Sequence, residues 1–280
     1  MLDPRLTPAR GDIAAKHLEG RVQAARFVEG ETFVIGANLA PLREAPAADA
    51  VLLTQAIKGE IVTIYDRNEE GWAWGQLAAD GYVGWLPEAT FVKFGPDPTH
   101  KVTAIRTFAF PGPSIKLPPV ESPVMLSLVK VVRDEGNFAV TDEGLFLPKQ
   151  HIADMGHIES DFVAVAERLV GTPYLWGGKS SLGIDCSGLV QVSLHAAGIE
   201  CPRDSDLQQA WLGRALDADE SNNLQRGDLI FWKGHVAIVR DAATVVHANA
   251  FHMATAIEGT QEAIARIKAS GSEVIAIKRL

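Results

Sequence analysis
The spacing of apolar and polar positions changes character twice along the chain. Residues 13–27 read as an amphipathic stretch, which predicts a helical segment within 1–29. From there the pattern shortens. Runs at 32–35, 61–65, 72–77 and 82–85 are rich in β-branched and aromatic residues, with turn residues at 66–71 and 79–81 between them. Short strands at this spacing predict a small barrel over 30–95. Gly95-Pro96-Asp97-Pro98 marks a break. A second β-rich piece follows over 96–155, with 124–132 as its clearest strand. Five prolines between 111 and 123 make its long loop stiff and non-helical.

From Ser160 the helical period takes over. Residues 161–170 are amphipathic, with Ser160 placed to cap them. Leu189, Val190, Ser193, Leu194 and Ala197 fall at helical spacing, and Gly198 stands where a glycine ends a helix. Strand material then occupies 229–232, 235–240, 244–250 and 274–278. Helices followed by antiparallel strands predict an α+β domain over 156–280.

Composition narrows the partners. The chain has 280 residues, enough for two or three domains. Its formal net charge of −9 disfavours nucleic acid and anionic membranes, since both need a basic patch. Two cysteines make neither a disulfide framework nor a four-cysteine zinc site. There is no His-Glu-x-x-His and no phosphate-loop order, so no metal and no cofactor are expected. Charged residues interrupt the first thirty positions, so no signal peptide is visible and a cytoplasmic enzyme is expected.

The chemistry centres on Gly183-Ile184-Asp185-Cys186-Ser187-Gly188. A polar turn there delivers a cysteine to a helix start, where free N–H groups and the helix dipole favour a thiolate. His235 opens one later strand and His247 sits within the next. A cysteine, a histidine and a second polar group to orient it form the constellation of a thiol hydrolase. His252 competes with His247 for the third place. Cys201, before Pro202, reads as structural.

These residues resemble the NlpC/P60 family of papain-like cysteine peptidases. The resemblance runs through Gly171-Thr172-Pro173-Tyr174-Leu175-Trp176-Gly177-Gly178, Asp185-Cys186-Ser187-Gly188, Gly227-Asp228-Leu229-Ile230-Phe231-Trp232, His235-Val236-Ala237-Ile238-Val239 and His247. It implies Cys186 as nucleophile, His235 as general base and His247 as its orienter. Tyr174 would lie beside the cysteine and help hold the oxyanion or the substrate. Pro41 to Pro46 and Gly81 to Leu86 resemble bacterial SH3-type modules, so one or two small SH3-like barrels would precede the catalytic domain.

That layout is similar to the γ-D-glutamyl-diamino-acid endopeptidases. It implies cleavage of short murein peptides such as L-Ala-γ-D-Glu-diamino acid, with a free N-terminal alanine, in cell-wall peptide recycling. Asp185 and Ser187 would recognise the alanine amine. The first barrel would close one end of the cleft, with Tyr82 and Glu44 as its candidates for the same amine. The alternatives are a general wall hydrolase, an amidase or acyltransferase on the same fold, or a non-catalytic wall-peptide binder.

Overall fold
The computed structural model describes residues 2–280 and divides into two compact units, Met1–His157 and Ile158–Leu280. In the first, seven antiparallel strands form one sheet. Their spatial order is Leu52–Ile57, Leu39–Arg43, Val83–Pro87, Trp72–Leu77, Ile61–Arg67, Glu31–Ile35, Phe91–Val92. The period-two pattern explains the core. Val62 and Ile64 point inward from one strand and meet Ile35, Leu42, Leu77 and Leu86. Gly84 sits opposite Gly75, where a Cβ would come within 2.9 Å of the Arg43 carbonyl. The backbones approach too closely there for any side chain.

The first stretch is not the expected helix. Ile13–Ala15 and Arg26–Val28 are strands paired in parallel, with one 3₁₀ turn, Lys16–Leu18, between them. The reason is burial on every side. Ile13, Ala14 and Ala15 are all fully buried, which an amphipathic helix on a surface does not do. Ile13 packs with Trp74 and Val83. The expected strand at 124–132 is also broken. Leu126 lies in the left-handed region at φ 71°, and only Leu128–Val129 and Val131–Glu135 are extended. Residues 100–154 hold six short strands in two three-stranded sheets. Lys58, nearly buried, bonds Glu121 at 2.8 Å and Glu143 at 2.9 Å, which ties the two β-rich pieces of this unit together.

The second unit places helices against a six-stranded antiparallel sheet. Its strand order is Arg214–Ala215, Val274–Arg279, Leu229–Trp232, His235–Val239, Thr244–Asn249, Ala254–Gly259. The helix Phe162–Arg168 is capped by Asp161, whose carboxylate accepts from the N–H groups of Val163 and Ala164; Ser160 stays outside. The helix Cys186–Ala196 packs on the His235–Val239 strand. Every residue in it except His195 is buried, so it is a central helix. It ends in a Schellman motif. Ile199 N–H donates to the Leu194 carbonyl, Gly198 N–H donates to that of His195, and Gly198 takes φ +73°.

Candidate active site
Cys186 is the first residue of its helix, and its position is built by Asp185. This aspartate caps the helix by accepting from the Gly188 N–H at 2.7 Å. Its other oxygen accepts from the Gly177 N–H at 2.8 Å. Arg203 then clamps both oxygens, Nη1 at 2.9 Å and Nη2 at 2.7 Å, and also donates to the Ser187 hydroxyl at 2.9 Å. Arg203 is 1% exposed, so this is a buried bidentate ion pair. Gln208 donates to the Ser187 carbonyl at 2.9 Å. Close packing completes the turn, since a Cβ on Gly188 would collide with the Gly178 carbonyl.

The histidines come from two adjacent strands. Gly234, at φ +74°, lets the chain turn tightly from Trp232 into His235. Ile238 pairs with Val246 and Val239 with Val245, a register that sets His235 and His247 diagonally on one face. His235 Nε2 meets His247 Nδ1 at 3.0 Å. His252 bonds Asn249 instead, at 3.0 Å, and is exposed. His247 is fully buried, and its Nε2 meets Glu258 Oε2 at 3.0 Å. Arg266 holds both Glu258 oxygens, at 2.9 and 2.6 Å. The helix that begins at Cys186 packs on the strand that His235 opens.

Electrostatics modify the simple helix-start argument. Burial pushes the Cys186 thiol up to about 12, and the Asp185 carboxylate adds to this. The N–H groups of Val236 and Ser187 and the charge of Arg203 oppose the shift and lose. Burial thus works against the thiolate that the helix start favours. Burial also carries His235 down to about 3, helped by the charges of His247 and Arg266. Burial takes His247 down to about 4 against the opposing hydrogen bond that it donates to Glu258. The Cys186 and His235 shifts both run toward the neutral forms of thiol and imidazole.

Tyr174 is half-buried between Ile184 and Met253, and burial, Cys186 and Asp185 raise its phenol well above the ordinary value. Trp176, Phe251 and Met253 are exposed on the same unit. The remaining two expected site residues belong to the N-terminal unit. There Tyr82 is a core residue, 3% exposed, and Glu44 is exposed. Three residues around the site were not picked out for it by sequence: Gln208, Glu258 and Arg266.

Among the described residues, His247, His252 and Glu258 are also spaced as metal ligands would be. His247 already uses both ring nitrogens, and Arg266 neutralises Glu258, so the cluster is occupied as a hydrogen-bond relay.

A cysteine at a capped helix start, set against a histidine pair on a central sheet, defines a cysteine peptidase domain. Residues 171–266 match the model of the NlpC/P60 family, and residues 42–91 match that of the bacterial dipeptidyl-peptidase SH3 domain. The chain thus carries an NlpC/P60 cysteine peptidase domain behind a bacterial SH3 domain. It is 35% identical over 100 residues to dipeptidyl-peptidase 6 of Lysinibacillus sphaericus, a match covering 36% of this chain and 36% of that protein. It is 29% identical over 231 residues to γ-D-glutamyl-L-lysine dipeptidyl-peptidase of Bacillus cereus, covering 70% of this chain and 67% of that protein. The fold also matches the crystal structure of an NlpC/P60 family protein from Bacillus cereus, with a TM-score of 0.74 and 23% identity over 89% of this chain and 99% of that one.

Proposed function
We propose that this protein is a cysteine endopeptidase that cuts the bond between γ-D-glutamate and a diamino acid in short cell-wall peptides. The observation that carries the proposal is the His235–His247 pair, with 3.0 Å between the two imidazoles, on the sheet against which the helix that begins at Cys186 packs. The name of the Bacillus cereus relative, γ-D-glutamyl-L-lysine dipeptidyl-peptidase, supplies the substrate class. His235 spends Nε2 on His247, which leaves Nδ1 for the thiol. As the sulfur attacks the γ-carbonyl carbon, the thiol proton passes to Nδ1. The carbonyl π pair moves to oxygen, where the Cys186 N–H, a first-turn amide without an intrahelical partner, stabilises it with the Tyr174 phenol. Collapse breaks the C–N bond, and the imidazolium returns its proton to the leaving amine. Water then hydrolyses the thioester, with His235 again as base.

The finer parts of the proposal concern the alanine end. Asp185 and Ser187 lie beside the nucleophile and are assigned to it. Arg203 already neutralises the Asp185 carboxylate, so an ammonium gains less charge attraction there than from a bare acid. The roles that the resemblance gives Glu44 and Tyr82, the preference for a free L-alanine amine, murein peptide recycling and a cytoplasmic location all belong to this proposal. No helix among the described residues is long and apolar enough to cross a membrane.

The test is to incubate the purified protein with L-Ala-γ-D-Glu-L-Lys and with the diaminopimelate tripeptide and read the products by mass spectrometry. Release of L-Ala-γ-D-Glu and free diamino acid is expected. Acyl transfer to an added amine, cleavage at another amide bond, or binding without turnover would each replace the proposal with one of its alternatives.

A further inference from the structure
Nothing in the Cys–His–His scheme says which nitrogen of each imidazole carries its proton, yet turnover depends on it. His235 accepts the thiol proton only if Nδ1 holds a lone pair. Its single proton must then sit on Nε2, and Nε2 must donate to His247 Nδ1. That in turn requires the His247 proton on Nε2. An imidazole pair alone does not enforce this. The reverse arrangement keeps the same 3.0 Å hydrogen bond, with His247 Nδ1–H donating to His235 Nε2. His235 would then present Nδ1–H to the sulfur, and the site would be dead.

We infer that Glu258, held by Arg266, is the positioning residue that selects the productive tautomer of both histidines. The inference rests on the Cys186–His235–His247 reading above and deepens it. An ionised carboxylate only accepts, so at 3.0 Å from Nε2 it demands a proton there. Arg266 keeps the carboxylate ionised by binding both oxygens. The arrangement follows from the fold. Glu258 sits opposite Val245 in the sheet and so lies diagonal to His247 on the same face. The chain turns at Gly259 into the helix Thr260–Ala269, whose second turn brings Arg266 back over Glu258. The Arg266 guanidinium is itself packed 4.3 Å above the Phe251 ring. The proton order is Cys186 Sγ–H to His235 Nδ1, His235 Nε2–H to His247 Nδ1, and His247 Nε2–H to Glu258. On formation of the imidazolium, no proton need leave His247; the carboxylate stabilises the positive charge through it.

The test reads the tautomers directly, by ¹⁵N NMR of the full chain labelled at histidine, at neutral pH and without substrate. The wild type is expected to show Nε2–H at both His235 and His247. A His247 proton on Nδ1 in the wild type overturns the inference with no variant needed. Glu258→Met removes the acceptor at similar size. It should let Nδ1–H appear at His235, lower kcat by about ten to a hundredfold and leave KM nearly unchanged. Glu258→Gln, which keeps an acceptor, should restore most of the wild-type tautomer and part of the rate. Wild-type tautomers and rate in Glu258→Met would reduce Glu258 to a strand ion pair. Should the wild type fail to cut the tripeptide, the substrate reading falls, while the spectra and the rate of Cys186 alkylation still decide the role of Glu258.

Discussion
At the scale of single residues, two opposing effects meet at Cys186. A helix start lowers a thiol pKa, and burial beside a carboxylate raises it; burial prevails. The proposed mechanism accordingly has His235 take the thiol proton during attack. Cys186→Ala should abolish turnover and leave the circular dichroism spectrum unchanged. Cys201→Ala should keep most activity, because Gln191 holds the backbone carbonyl of Cys201, which alanine retains. A dead Cys201→Ala enzyme would move the nucleophile.

The histidines make a second prediction at this scale. In the unfolded chain they take up protons near their ordinary value of 6.5; folded, His247 resists to about 4 and His235 to about 3. The unfolded state therefore binds more protons in that window, and stability, full above about 6.5, falls as pH drops toward 4. Wild-type Tm should fall more steeply over this range than that of His247→Asn. Parallel curves would count against the buried neutral pair. Cys186, His235 and His247, the residues proposed to carry the chemistry, could be picked out in the sequence because each sits in a short local motif. Glu258 was not. Its meeting with His247 depends on the register of a hairpin, which no local pattern records.

At the scale of elements, the cysteine helix shows what local pattern reveals and what it omits. Its start, its length and its glycine stop follow from cap chemistry and period, and so they could be read in advance. Its complete burial could not, because that depends on which elements surround it. The same gap explains the error at 13–27, where three consecutive small or apolar residues are buried on every side as a strand. The clamp on the helix start is equally nonlocal, since Arg203 returns to Asp185 from the loop beyond the helix. Arg203→Met leaves a buried carboxylate without its cation. We expect a loss of about 3–5 kcal/mol in urea denaturation, with activity falling as the turn loosens. A cost under 1 kcal/mol would show that the carboxylate finds other partners. Gly188→Ala should be worse for activity, because the added methyl meets the Gly178 backbone, which has no flexible end to move away. Near-normal turnover in that variant would show that the turn tolerates a shifted cysteine.

At the scale of the molecule, the two units divide the account. The second holds Cys186 and the hydrogen-bonded His235–His247–Glu258 series within its own helices and sheet, and the first is a β-rich unit that contains the SH3 domain. The α+β character and four of the seven strands of the first sheet were visible in the sequence, because turn residues and changes of period mark them, whereas Leu39–Arg43, Leu52–Ile57 and Phe91–Val92 were not. The proposed choice of substrate rests on a free alanine amine close to the cut. The most direct measurement compares cleavage of L-Ala-γ-D-Glu-diaminopimelate with that of its N-acetylated form and of an intact muropeptide carrying N-acetylmuramic acid, each with wild type and Cys186→Ala. The account predicts rapid release of L-Ala-γ-D-Glu from the free tripeptide alone, and none with Cys186→Ala. Comparable wild-type rates on all three substrates would contradict it and make the protein a general wall hydrolase.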